Sequence, residues 1–249
     1  MLKEERKQKI LDILHLEQKV IATDLSKLFN VSEDTIRRDL KELDHSGLIK
    51  RVHSGALRLG PPVTDFTYRE SVSPDAKLEM AKKALPFLKE ETVIIVDGST
   101  TNLSLMNLIP QDFRATIITN SPPISIALAH HRNINVINIG GLLYKQSMIN
   151  VGVSAYSTLK NMRADLYIMG VYNIDIDSGF SVPTLEEAKI KKTMCDISTE
   201  ILAMVTHDKF GTVSNHIIGD VEEISYLISE NASDKTKREY GKKNIIFID

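Results

Sequence analysis

Two adjacent arginines near the start of the chain have the chemistry to bind an anion or the edge of a nucleic-acid base. Arg37 and Arg38 follow Ser32 and Thr35 in the run Val-Ser-Glu-Asp-Thr-Ile-Arg-Arg-Asp-Leu, which begins at residue 31. A guanidinium group donates two parallel hydrogen bonds to a phosphate or to atoms O6 and N7 of guanine. An Arg-Arg pair alone is usually a solvated surface, so its interpretation depends on the elements that hold it.

The spacing of apolar residues predicts that one helix presents these arginines on its outer side. Ile36, Leu40 and Leu43 recur at intervals that bring them to a single buried face. Two further helices are predicted before this one, over residues 4–17 and 22–29. Helix, tight turn and helix is the geometry that places a second helix in the major groove of DNA.

A short basic hairpin is predicted after the helices. Strands over 48–52 and 56–59 flank the turn His53-Ser54-Gly55. Three helices followed by a hairpin form a winged helix-turn-helix, in which the hairpin can reach the DNA backbone or minor groove. We expect contacts to double-stranded DNA from eight residues, namely Ser32, Thr35, Arg37, Arg38, Lys41, Lys50, Arg51 and His53.

Alternating helices and strands are predicted in the rest of the chain. Seven strand-sized apolar segments, the first at Val93–Asp97, are separated by helical segments. Such alternation favours a mostly parallel sheet covered on both faces, so the fold class is α/β. We predict a DNA-binding domain over 1–58, a linker over 59–72 that contains Pro61-Pro62, and an α/β domain over 73–249.

Three loops at the carboxyl ends of predicted strands carry glycines and hydroxyl groups. In open α/β sheets ligands bind at this edge, and a strand that delivers glycine and hydroxyls to a helix start suits an anion. Each loop taken alone is usually a routine turn, and Asp97 can simply brace a strand end. We expect the three loops to converge on one ligand pocket formed by Asp97, Gly98, Ser99, Thr100, Thr101, Thr119, Asn120, Gly140 and Gly141.

Composition restricts the other classes of protein. The 249 residues are 42% hydrophobic with a net charge of −2, and residues 1–58 hold 12 Lys and Arg against 10 Asp and Glu. The single cysteine, Cys195, excludes an internal disulfide and a cysteine-rich metal site. No apolar run approaches the roughly 20 residues that span a membrane, and the histidines show no metal-ligand pattern. We expect a cytoplasmic protein with no cofactor, no metal and no membrane partner.

The N-terminal motifs resemble the DeoR family of bacterial transcriptional regulators. The resemblance rests on the run from Val31 to Leu40 and on Arg51-Val52-His53-Ser54-Gly55-Ala56, where the family usually has His-Gly-Gly-Ala. It implies a sensor domain that is similar to sugar-phosphate isomerases and binds a phosphorylated sugar. The protein would then act as a repressor of a carbohydrate-metabolism operon.

The resemblance also implies two cationic effector residues. Lys209 matches a family Asp-x-Ser-Lys-Phe-Gly motif, with Thr206 and Asp208 in place of its Asp and Ser. Lys77 matches a family lysine that follows Glu, here Ala76. Either lysine can instead be a surface salt-bridge partner.

Two alternatives to this regulator remain open on the sequence. One is a sugar-phosphate isomerase fused to a DNA-binding module, which would need a positioned carboxylate base. We expect no enzyme, because no glycine-rich, lysine-containing catalytic run like that of ribose-5-phosphate isomerases is present. The other is a C-terminal domain that only oligomerises. We expect the regulator to be a homo-oligomer, a dimer or a tetramer, because one recognition helix reads few base pairs.

Overall fold

The N-terminal region consists of three helices and a small antiparallel sheet. The computed structural model describes residues 1–17, 19–60 and 64–249. In this region the elements are α1 (Lys3–Glu17), β1 (Lys19–Ile21), α2 (Ala22–Phe29), α3 (Glu33–His45), β2 (Lys50–Val52) and β3 (Gly55–Leu59). Strand β3 lies between β1 and β2 and is antiparallel to both. The predicted helices and hairpin are therefore present, and β1 is an addition.

An apolar cluster holds the three helices together. Ile10 and Leu14 of α1 pack with Ile36, Leu40 and Leu43 of α3, and each of the five is at most 4% exposed. The predicted buried face of α3 is the observed one. Burying one stripe of a helix leaves its opposite side free to face a partner.

The remaining elements alternate in the order that the sequence predicts. Their bounds are α4 (Phe66–Ser71), α5 (Pro74–Ala84), β4 (Val93–Val96), α6 (Thr100–Met106), β5 (Ala115–Thr119), α7 (Pro122–Leu128), β6 (Ile134–Asn138), β7 (Leu142–Tyr144), β8 (Ile149–Val151), α8 (Val153–Leu159), β9 (Ala164–Gly170), β10 (Asn173–Asp175), β11 (Gly179–Val182), α9 (Leu185–Asp196), β12 (Ser198–Val205), β13 (Thr212–Val213), β14 (His216–Gly219), β15 (Tyr226–Ser229), α10 (Asp234–Gly241) and β16 (Ile246–Ile248).

Seven of these strands form one parallel sheet within the described residues. Their order is β16-β15-β12-β9-β4-β5-β6, and every neighbouring pair is parallel. All seven correspond to predicted strands, with bounds shifted by one to three residues. Parallel neighbours bring the carboxyl ends of β4, β9, β12 and β15 to the same edge of the sheet.

Alternate residues of each strand pack into separate cores on the two faces. Ile94 and Val96 point to the side covered by α5, α6 and α7, whereas Ile95 points to the side covered by α8 and α9. A strand exposes successive side chains to opposite faces, so a sheet covered on both sides needs continuous apolar runs. The α/β prediction is confirmed.

The segment predicted as a linker is partly structured. Pro61 and Pro62 lie outside the described residues, but α4 falls within 59–72 and buries Phe66. Strand β3 also continues to Leu59 and pairs in parallel with β13 of the C-terminal region. The domain bounds at 58 and 73 stay predictions.

Candidate nucleic-acid interface and ligand cavity

The start of α3 is fixed by the hydroxyl predicted to cap it. Ser32 Oγ accepts a hydrogen bond from the backbone N–H of Thr35 at 3.2 Å and lies 2.9 Å from Thr35 Oγ1. The preceding residue but one, Asn30, has a left-handed φ of 51°, which ends α2 and turns the chain into α3. This local structure sets the angle between the two helices of the motif.

The two arginines lie on the exposed side of α3. The side chains of Arg37 and Arg38 are 64% and 77% exposed. Each forms an ion pair one turn back along the helix, with Glu33 at 3.3 Å and with Asp34 at 3.1 Å. Exposed pairs of this kind contribute about 0.3–0.5 kcal/mol, so a phosphate or base edge can replace the carboxylate at little cost.

A buried ion pair that sequence reasoning did not single out anchors α3 against α1. Arg6 Nε donates to Asp39 Oδ2 at 2.5 Å and Nη2 donates to Oδ1 at 3.2 Å. The two side chains are 9% and 2% exposed, and the hydrogen bond to Asp39 raises the pKa of Arg6. A two-pronged contact of this kind fixes orientation as well as distance, so it sets how α3 projects from the region.

The wing residues fall into two groups. Arg51 and His53 are exposed, like Lys41 on α3. Lys50 is half-buried, and its Nζ donates to Asn215 Oδ1 of the C-terminal region at 2.6 Å. Lys50 is therefore already bound to the C-terminal region, whereas the ion pairs of Arg37 and Arg38 stay within α3.

A cavity of about 420 Å³ lies where β4, β9, β12 and β15 end. We call it the strand-end cavity. It is lined by Thr64, Tyr68, Arg69, Val72, Ser73, Lys77, Gly98, Ser99, Thr100, Thr101, Gly170, Val171, Tyr172, Glu187, Lys191, Thr206, His207, Asp208, Lys209 and Glu230.

Six predicted effector residues line this cavity, and five do not. Lys77, Lys209 and the loop Gly98–Thr101 are brought together as expected. Thr119, Asn120, Gly140, Gly141 and Asp97 lie outside the lining, so the prediction that three loops converge on one pocket is corrected to one loop and the ends of neighbouring strands.

The hairpin of β7 and β8 explains why the other two loops are excluded. Asn120 Nδ2 donates to the carbonyl oxygen of Asn150 at 3.0 Å, and Thr119 Oγ1 accepts from the N–H of Ser121. Gly141 lies so close to this hairpin that a Cβ atom there would be 2.5 Å from the carbonyl oxygen of Val151. Asn120 and Gly141 therefore contact the hairpin, whereas the hydrogen bond of Thr119 stays within its own loop.

Asp97 is saturated by contacts beneath the cavity. Its carboxylate accepts hydrogen bonds from Tyr167 Oη at 2.5 Å, from the N–H of Gly170 at 2.7 Å and from Asn102 Nδ2 at 2.9 Å. Lys191 Nζ forms an ion pair with the same carboxylate and donates to the carbonyl oxygen of Gly170. Asp97 therefore has a structural role beneath the cavity, which corresponds to the alternative that it braces a strand end.

Three cations lie close together around the cavity. Burial lowers the pKa of Lys209 to about 8; Asp208 opposes this shift, and the positive charges of Arg69 and Lys77 add to it. Burial is also the main cause that lowers the pKa of Lys77, whose Nζ donates to the carbonyl oxygen of Arg69. Cations that destabilise one another in a partly desolvated space attract an anion.

Several cavity residues escaped the sequence analysis for separate reasons. Arg69 belongs to α4, which lies in the predicted linker. Glu230 directly follows β15, so the rule that found Gly98 could also have found it. Glu187 lies in the first turn of α9, where acidic residues are common, so its residue type gave no signal of a ligand site. Within the described residues, no group of three or more His, Cys, Asp or Glu side chains could hold a metal ion.

The fold and these two sites define a winged-helix DNA-binding protein with an α/β ligand-binding domain. Comparison with protein families agrees: residues 6–60 match the DeoR-like helix-turn-helix domain, and residues 72–231 match the DeoR C terminal sensor domain. The chain belongs to the DeoR family of transcriptional regulators.

Full-length relatives support the same assignment. The HTH-type transcriptional regulator GolR of Listeria innocua is 32% identical over 93% of this chain and 92% of its own length. The L-fucose operon activator of Escherichia coli K12 is 30% identical over 92% and 96%. Like them, the chain is a DNA-binding regulator and not an enzyme.

One solved structure is similar to part of this chain. Ribose 5-phosphate isomerase A of Methanocaldococcus jannaschii matches 55% of this chain and 54% of its own, with 14% identity and a TM-score of 0.40. Among the described helices, none is long and apolar enough to cross a membrane.

Proposed function

We propose that this regulator is a repressor of a carbohydrate-metabolism operon and that a phosphorylated sugar in the strand-end cavity weakens its binding to operator DNA. The proposed setting is the cytoplasm. The observation that carries the proposal is the cation cluster of Arg69, Lys77 and Lys209 in the cavity. Strand β13, which follows Lys209 in the chain, pairs with β3 of the wing and so connects the cluster to the DNA-binding region.

The DNA side of the proposal rests on the exposed face of α3. Arg37 and Arg38 contact base edges or bind phosphates in the major groove, and Thr35 and Lys41 make further contacts beside them. Arg51 and His53 of the wing contact the backbone or the minor groove. Ser32 holds the helix start in place for both sets of contacts.

The effector side rests on charge and on the loop after β4. A phosphate group is a dianion near neutral pH, and three neighbouring cations favour it over a neutral ligand. The buried hydroxyls of Thr100 and Thr101 line the cavity beside these cations. A cavity of about 420 Å³ falls within the ordinary size range of small-molecule sites.

A continuous backbone path connects the two sites. Arg58 of β3 donates from Nη2 to the carbonyl oxygen of Asp208 at 2.5 Å, and Asp208 precedes the cavity residue Lys209. Three residues further on, β13 pairs with β3 at Thr212↔Arg58 and Val213↔Leu59. A ligand that moves Lys209 therefore moves the strand that supports the wing, which is a physical basis for coupling between the sites.

We further propose that the regulator acts as a homo-oligomer, a dimer or a tetramer. A single recognition helix contacts too few base pairs to select one operator in a genome, and paired helices on a two-fold axis read two half-sites. Sedimentation of the protein with and without a duplex carrying both half-sites measures this assembly.

The experiment that tests the function starts with selection of bound sequences from the organism's own genomic fragments. Fluorescence anisotropy then gives the affinity for the selected operator, before and after addition of phosphorylated sugars chosen by a thermal-shift screen. We expect at least one sugar phosphate to raise the melting temperature and to weaken operator binding by 5-fold or more. Unchanged melting with every sugar phosphate would contradict the effector, and tighter operator binding would contradict the repressor.

A further inference from the structure

One carboxylate of the strand-end cavity is buried without a partner. Glu187 is 5% exposed and lines the cavity. Within the described residues, its carboxylate oxygens take part in no hydrogen bond or ion pair, whereas Asp97 accepts several hydrogen bonds and Glu230 accepts through Oε1 while its Oε2 has no partner. A buried carboxylate without a partner is costly, so its presence needs a reason outside the folding of the chain.

The neighbouring cations do not supply that partner. Lys191 Nζ is occupied by the Asp97 carboxylate and by the carbonyl oxygen of Gly170. Arg69 donates from Nη2 to the carbonyl oxygen of Gln146 at 3.0 Å. Burial accordingly raises the pKa of Glu187 despite the nearby charges of Lys191 and Arg69.

Capping of α9 does not use the carboxylate either. Thr184 Oγ1 accepts from the backbone N–H of Glu187, which is one half of a capping arrangement. In a reciprocal capping box, the acidic side chain at this position would turn back to the N–H of the capping residue. Here that return bond is missing among the described contacts, and the side chain faces the cavity wall instead.

We propose that Glu187 is a specificity-determining residue, which accepts hydrogen bonds from donor groups on the part of the ligand that carries no phosphate. The inference rests on the proposed effector function. It divides the cavity into a cationic end, with Lys77 and Lys209, and an acceptor end at Glu187. The ligand class is then a phosphorylated compound with free hydroxyls, or with an amino group, away from its phosphate.

This division explains how the cavity can reject inorganic phosphate as a signal. The cationic end attracts any phosphate, because charge attraction does not depend on the rest of the ligand. A buried acceptor, in contrast, favours ligands that satisfy it, and a site left with an unpaired polar group loses affinity by 10-fold or more. Discrimination therefore resides at the acceptor end.

Binding measurements with defined probes test the assignment. Isothermal titration with inorganic phosphate, glycerol 3-phosphate, fructose 6-phosphate, sorbitol 6-phosphate and glucosamine 6-phosphate compares wild type with Glu187→Gln and Glu187→Ala. We expect the tightest organic probe to lose about 10- to 100-fold in affinity in Glu187→Ala, and inorganic phosphate to change less than 2-fold. Glu186→Gln, at an exposed position next along α9, is the matched control and should bind every probe like wild type.

The two variants also separate the donor groups. A hydroxyl donor tolerates the amide of Glu187→Gln better than Glu187→Ala, whereas an ammonium donor loses comparable affinity in both, because its partner must be charged. Thermal unfolding without ligand gives a second measurement. If Glu187 serves a ligand, Glu187→Gln should be at least as stable as wild type. If the carboxylate has only a structural role, Glu187→Gln should be less stable.

Three results would overturn the inference. If wild type binds an organic probe and Glu187→Ala binds it equally well, Glu187 is not a specificity residue, although the effector function stands. If Glu187→Gln unfolds at a clearly lower temperature, the carboxylate has a structural role. If wild type binds none of the organic probes, the proposed function fails together with this inference.

Discussion

The lowered pKa of Lys209 predicts a strong pH dependence of effector binding. Burial brings this pKa to about 8, against 10.5 for an ordinary lysine, so Lys209 loses its proton in the free protein as the pH rises through 8. A bound phosphate stabilises the charged ammonium and raises the pKa again. Affinity is therefore highest below pH 8 and falls above it, until the pH reaches the pKa of the complex.

The size of the effect follows from linkage. A sugar phosphate is already mostly a dianion at pH 7.5, because its second pKa is about 6. If binding restores the ordinary pKa of 10.5, affinity falls about 20-fold between pH 7.5 and pH 9.5, and binding at pH 9 takes up about 0.9 proton. Lys77 acts in the same direction, because burial lowers its pKa as well.

Isothermal titration in two buffers of different ionisation enthalpy measures both quantities. The matched variant is Lys209→Arg, which keeps its charge throughout this pH range and should show a much flatter profile. Equal affinity of wild type at pH 7.5 and 9.5 would refute the argument. The same would follow if Lys209→Arg kept the full slope of wild type.

Two other predictions concern the anchoring of α3 and the path between the sites. Arg6→Met should reduce the free energy of unfolding by about 3–5 kcal/mol in urea titrations, because it leaves Asp39 charged and buried. Replacing Asp39 with Leu in the same chain should recover much of that loss. Arg58→Met should keep operator binding and effector binding but reduce the effector's influence on operator affinity at least 3-fold, because the bond to Asp208 is lost; anisotropy with and without effector measures it.

Each of these variants has a control at an exposed position. Changing Lys3 to Met should lower the free energy of unfolding by less than about 1 kcal/mol, because the ion pair of Lys3 with Glu42 is about half exposed. Arg163→Met should leave the coupling intact. If Arg6→Met lowers the free energy of unfolding no more than Lys3→Met does, the anchoring role of Arg6 is contradicted. If Arg58→Met keeps the full influence of the effector on operator affinity, this path between the sites is ruled out.

Much of the fold could be predicted from the sequence because its signals are local. The buried stripe of α3 and the apolar runs of the central strands each follow from the period of one element. Short pieces such as β13 and the β7–β8 hairpin carry two or three residues, too few to show a period. Their pairing depends on distant partners, as in Val213↔Leu59.

The cavity could be predicted in part for the same reason. The loop Gly98–Thr101 is recognisable because it follows a clear strand, and Lys209 because it lies in a motif. Arg69 comes from a helix in a segment that looks like a linker, and Glu187 becomes notable through the absence of a partner among the described residues. Contacts between residues far apart in the sequence determine which loops line the cavity. Such a contact also explains why Asn120 binds the β7–β8 hairpin instead of lining the cavity.

The most direct test of the whole account is the affinity of an Arg37→Ala, Arg38→Ala double variant for the selected operator duplex at about 150 mM salt. The exposed face of α3 predicts a loss of at least 30-fold, since each arginine that contacts a base contributes about 1–3 kcal/mol, with unfolding unchanged from wild type. Operator binding equal to that of wild type at the same salt concentration would contradict the placement of this helix in the DNA groove.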